Sequence, residues 1–93
     1  MSRPLADESA FRAVAHPVRR RMLDMLRSTD LPVADLVAPF RLSRPSMSQH
    51  LRVLRTSGLV RQRRLGRSRI YTLQWTQLGA IRRWIGEFDG PSK

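Results

Sequence analysis

A mainly α-helical domain with one small β-hairpin is the fold class this 93-residue sequence predicts, on three observations. First, Met47, Leu51 and Leu54 recur at i, i+4 and i+7 between a helix-starting Ser43-Arg44-Pro45 and a helix-stopping Gly58. Second, the pattern turns from helical to extended after Gly58, with two short runs around Leu65-Gly66-Arg67. Third, apolar residues at helical spacing occupy the segments before and after this stretch.

In chain order, residues 1–6 read as a flexible tail ahead of a domain spanning 7–88, with a second flexible tail at 89–93. Asp7 and Glu8 suit the positive end of a helix dipole, and Ala10, Phe11, Val14 and Ala15 supply that helix's apolar side. His16-Pro17 breaks it. Pro17 starts a second helix in which Val18, Met22, Met25 and Leu26 recur, ending near Ser28 to Asp30, with Arg19 and Arg20 mostly off the stripe. His16 is expected to be structural, at the corner between the two helices.

Leu31 to Phe40 predicts a third, short helix with Val33, Leu36 and Val37 inward, Pro32 as its first residue and Pro39 forcing an early stop. Arg41-Leu42-Ser43 is then a tight turn into the fourth helix. Ser43 caps that helix, Pro45 sits in its first turn, and Gly58 stands where a left-handed C-terminal cap belongs. Two short helices joined in this way form a helix-turn-helix unit.

Strands follow at Leu59–Arg64 and Ser68–Leu73, with Gly66 supplying the freedom a hairpin turn needs. Tyr71 and Trp75 are expected to cover the core beneath this hairpin. The last helix runs from about Thr76 to Phe88. Leu78, Ile81, Ile85 and Phe88 recur there at spacings of 3, 4 and 3, and Trp84 widens the seam. With Phe11 of the first helix, these residues are the candidate dimer interface. Packing of the last helix on the first within one chain uses the same face, and both uses are expected. The order α-α-α-α-β-β-α is that of a winged helix-turn-helix, expected as a dimer.

Charge points to a partner. Eighteen basic against seven acidic residues leave a formal charge of +11, the electrostatic footprint expected of a protein that binds nucleic acid. Seventeen of the eighteen are arginine, Lys93 being the exception. The arginine fork suits guanine edges and phosphates; the codon usage of a GC-rich genome accounts for the bias equally well.

Other function classes fall away. The sequence has no cysteine, which removes disulfides, zinc fingers and thiolate chemistry. No apolar run approaches the roughly 20 residues of a membrane span, and the first residues show no signal-peptide core, so no membrane partner and a soluble cytoplasmic protein are expected. Ser46 and Ser48 lie near His50, but no acid follows to orient the imidazole, so no enzyme is expected. A zinc or arsenic site needs three or four converging ligands, and His16 and His50 are the only histidines. Neither metal nor cofactor is expected.

The candidate reading residues lie on the fourth helix. Gln49, opposite the apolar stripe, suits bidentate pairing with adenine; Arg52, one turn on, suits guanine or a phosphate. Ser46, Ser48 and Arg44 sit near the helix start, where backbone contact is the expected role. His50 lies beside the stripe, as a DNA contact or as a partly packed hydrogen-bonding histidine. In the hairpin, Arg63, Arg64, Arg67 and Arg69, with Arg61 nearby, predict a wing on the flanking backbone or in the minor groove. Charge that merely protects an exposed hairpin edge is the alternative.

Taken together, His16-Pro17-Val18-Arg19-Arg20-Arg21-Met22-Leu23, Val33-Ala34-Asp35-Leu36, the string Leu42 to Leu54 containing Ser48-Gln49-His50-Leu51, Gly58-Leu59-Val60 and Gly66-Arg67-Ser68-Arg69-Ile70-Tyr71 resemble the ArsR/SmtB family of transcriptional repressors. The resemblance spans about Phe11 to Phe88. It implies a homodimer formed through the first and last helices, each reading helix in a major groove of double-stranded DNA, on half-sites roughly 34–36 Å apart. It also implies repression that an inducer relieves, although no inducer is legible here. Metal-sensing members carry a Cys-x-Cys pair where this chain has Val33 to Ala38, and others place ligands on the last helix, where Glu87 is the sole acid. The branch without metal ligands is therefore the one resembled. Two other readings stay open: a nonspecific architectural or RNA-binding protein, and a sensor gated by a small apolar molecule.

Overall fold

The computed structural model describes residues 5–89; the remainder of both expected tails lies outside the described residues. Five helices and three strands follow in the order α1 (Leu5–Ala13), α2 (Pro17–Met25), β1 (Leu31–Pro32), α3 (Val33–Val37), α4 (Arg44–Thr56), β2 (Val60–Leu65), β3 (Ser68–Leu73) and α5 (Trp75–Gly86). The mainly helical fold with its antiparallel hairpin agrees with the sequence reading, and each expected helix is present.

The differences are local. Helix α1 starts two residues before Asp7 and ends at Ala13, because His16 turns the chain and caps α2 by accepting from the Val18 amide at 3.1 Å. Helix α2 closes at Met25, short of Ser28, with Leu26 as its C-terminal cap. Pro32 caps α3 rather than opening it, and Leu31-Pro32 forms a third strand paired with Tyr71 and Ile70 of β3. Two residues carry no alternation, so no periodicity announces such a strand. Helix α3 ends at Val37, two residues before Pro39, which leaves six residues, 38–43, as the connection to α4.

Helix α4 obeys its local signals closely. The Ser43 hydroxyl accepts from the Ser46 amide at 3.2 Å. At the other end the Leu59 amide donates to the Leu54 carbonyl and the Gly58 amide to the Arg55 carbonyl, at 3.2 and 3.0 Å. This is the Schellman pattern, and Gly58 takes the left-handed φ of 79° that it requires. Leu54 and Leu59, the apolar pair that accompanies the motif, are both fully buried. A Cβ on Gly58 would also stand 3.0 Å from Cγ of Gln77, so α5 crowds the same corner.

The sheet is antiparallel in the order β1-β3-β2. Leu65 pairs with Ser68 and closes a two-residue turn, Gly66-Arg67, with Gly66 at φ 62°. The Gln74 amide donates to the Leu59 carbonyl at 2.8 Å, fastening the end of the hairpin to its beginning. Met22, Leu36, Leu54 and Leu59 are the largest fully buried side chains, and they join α2, α3, α4 and the start of β2 into one core. Tyr71 is buried as expected, its hydroxyl accepting from Arg55 at 3.2 Å. Trp75 is not: as the first residue of α5 it is 62% exposed. The helix begins one residue earlier than Thr76, which places this ring outside the core.

Candidate nucleic-acid interface

On α4, Met47, Leu51 and Leu54 face the core, while Arg44, Ser46, Ser48, Gln49 and Arg52 are all exposed. That division is what a reading helix needs, since the apolar stripe seats it and the polar side stays available. Pro45, Ser46, Gln49 and His50 line a shallow hollow near its N-terminal end. His50 differs from its neighbours. Its ring is half-buried and turned toward α2, with Nδ1 3.0 Å from a guanidinium nitrogen of Arg19.

The hairpin places its arginines around the tip. Arg63, Arg64, Arg67 and Arg69 are exposed, Arg67 within the turn itself. Arg64 pairs directly across the strands with Arg69. Like charges in that register cost stability, and an anion between them removes the penalty. Arg63 stands 3.6 Å from Asp30, with both side chains about half exposed, so the pair adds little to stability.

Two arginines that the sequence placed merely off the stripe have an architectural task. Arg19 donates through Nε to the Ala13 carbonyl at 2.8 Å and through Nη2 to that of Arg12 at 3.2 Å, while Arg20 donates to the Val14 carbonyl at 2.7 Å. Carbonyls at and just past the C-terminal end of α1 are capped in this way. Their position two and three residues after the His16-Pro17 break was the available signal.

The candidate dimer residues divide. Phe11, Leu78 and Ile81 are partly buried within their own subunit, and Phe11 meets Trp84 edge-to-face at 5.4 Å. Trp84, Ile85 and Phe88 remain 49%, 56% and 70% exposed. So α5 packs on α1 of the same chain and still presents a large apolar surface. An apolar cleft of about 440 Å³ continues it, with Val14, Leu23, Trp75 and Leu78 among its walls.

The pattern of the bacterial regulatory protein, arsR family, matches residues 16–62, from the cap of α2 to the middle of β2. This chain belongs to the ArsR family. Among curated relatives, the transcriptional repressor SdpR of Bacillus subtilis is 32% identical over 86% of this chain and 89% of its own length. A helix-turn-helix-type transcriptional regulator of Mycobacterium tuberculosis is 38% identical over 95% and 82%. Of solved structures, an ArsR family transcriptional regulator superposes with a TM-score of 0.80 at 31% identity, covering 86% of this chain and 88% of that one. HlyU from Vibrio cholerae gives 0.71 at 32%, covering 94% and 96%. The chain is a winged helix-turn-helix regulator of transcription, not an enzyme.

The donor set of this ArsR member does not make a metal centre of the kind the family is known for. There is no cysteine. Nδ1 of His16 is engaged by the Val18 amide and Nδ1 of His50 by Arg19. Among the described residues no three His, Cys, Asp or Glu side chains converge. Nor is any described helix long and apolar enough to cross a membrane.

Proposed function

We propose that two copies of this chain, joined through α1 and α5, bind an inverted repeat in double-stranded DNA and repress transcription by occupying it. The observation that carries this reading is the two-sided character of α4, core-seated along Met47, Leu51 and Leu54 and polar along Ser48, Gln49 and Arg52. Gln49 and Arg52 read bases, Arg44, Ser46 and Ser48 meet the backbone, and Arg63, Arg64, Arg67 and Arg69 hold the flanking duplex. Exposed Trp84, Ile85 and Phe88, continuous with Phe11, Leu78 and Ile81, supply the self-complementary apolar surface that a two-fold dimer requires. Work on DNA in this manner places the protein in the cytoplasm. No metal or cofactor takes part.

Selection of duplexes from a random library, followed by competition at about 0.15 M salt, tests the reading. The selected site is expected to be palindromic and to outcompete random duplex by about 10³-fold or more. Equal competition by random DNA would instead make the chain an architectural binder. Gln49→Ala is expected to cost about 1–3 kcal/mol at the selected site and to relax preference at one base position in each half. An even loss over all sequences would reassign Gln49 to the backbone.

A further inference from the structure

His50 turns away from the polar side of α4 into a contact that base reading does not use. Its ring lies against that of His16, with centroids 4.4 Å apart and planes inclined at 55°. Arg19 reaches its Nδ1 at 3.0 Å while its other nitrogens hold the Arg12 and Ala13 carbonyls. The end of α1, the start of α2 and the middle of α4 therefore meet at one point.

The hydrogen-bonding chemistry assigns the tautomer of His50. A guanidinium offers donors only, so His50 Nδ1 is the acceptor and its single proton sits on Nε2. His16 Nδ1 likewise accepts, from the Val18 amide. A second proton on His50 must enter Nδ1, which already faces a donor. Burial, then the neighbouring His16 and Arg19, hold His50 below the ordinary histidine value. From α2 and its cap the groups facing His50 are Arg19 and His16. From α1 they are backbone carbonyls reached through Arg19, since the Arg12 side chain borders a separate hollow with Glu8, Phe11 and Trp84. From α4 they are the uncharged Pro45, Ser46 and Gln49. The ion pair among the described residues is Arg63 with Asp30, so among them no carboxylate is paired with His50 to hold a second proton.

We propose that Arg19 and His16 are positioning residues for the reading helix, acting through His50, and that protonation of His50 releases α4 and weakens DNA binding. The inference rests on α4 being the duplex-contacting helix. Its sign is distinctive. An imidazolium beside a duplex ordinarily tightens binding as pH falls, because it adds a cation near phosphates. The joint requires the reverse, and in a dimer both copies must be closed, which compounds the loss.

The test uses the full chain and the duplex it selects at about pH 8, with affinity followed by fluorescence anisotropy at fixed ionic strength down to about pH 5. Wild type is expected to weaken by about fivefold or more across that range. In His50→Asn the amide oxygen takes the place of Nδ1 and does not titrate, so affinity is expected to be independent of pH. Arg19→Gln is expected to shrink the acid loss, because its amide can present oxygen to a protonated ring. Wild-type affinity that is flat or rises on acidification overturns the proposal, as does a His50→Asn profile that still falls. If circular dichroism shows His50→Asn unfolded, Arg19→Gln and an NMR titration of the His50 ring decide in its place. Failure to select any duplex at any pH would overturn the DNA reading itself, a result distinct from a selected duplex held equally at every pH.

Discussion

Glutamate at both Ile85 and Phe88 is expected to abolish self-association and to weaken binding to a palindromic duplex by about a hundredfold. Both side chains are more than half exposed, so the isolated subunit loses little by the change. A face that must be desolvated against its own image would instead bring four carboxylates together. Without the partner, the second half-site is bound as a separate event rather than at the high effective concentration that tethering gives. Sedimentation velocity reads the first effect and anisotropy on the selected duplex reads the second. Unchanged mass with both substitutions would place the interface elsewhere on the molecule.

Leu54→Ala is expected to destabilise the fold by about 3 kcal/mol, within the range of 2–5 for a buried leucine. Leu54 is completely buried, closes the apolar stripe of α4 and is half of the Leu54–Leu59 pair at its Schellman cap. A 93-residue domain has roughly 5–14 kcal/mol of stability in all, so this one truncation removes a large share. The melting temperature should fall by roughly 12–24 °C, read by calorimetry or urea titration. A loss below about 1 kcal/mol would mean that the surrounding helices close over the space.

Helix α4 was legible because its signals are local. A serine cap, an early proline, a three-residue stripe and a terminal glycine all act within one or two turns, and each acts as read. The hairpin was legible for the same reason, through Gly66 and the change of period. What escaped depends on distant partners. Strand β1 is two residues long and exists because β3 offers it hydrogen bonds. Trp75 was expected to cover the core beneath the hairpin, yet it opens α5 one residue early and is exposed. The Arg19–His50 contact joins residues 31 apart in sequence, and no spacing rule links them. Sequence could say that His50 stood beside the stripe, not what stood opposite it. For the reading face itself, the pattern identified which side of α4 is polar, and the structure agrees that those residues are exposed.

The capping of α1 bears on how this protein exchanges small ions with a nucleic acid. A guanidinium whose hydrogens are already given to carbonyl groups is poorly placed to displace sodium from a phosphate. Arg19 and Arg20 are engaged in that way, and Arg55 leans on a phenol. The formal excess of eleven positive charges therefore overstates the sodium released when a duplex docks. Exposed arginines at the hairpin tip and along α4 are the ones left free of such bonds on the proposed reading side.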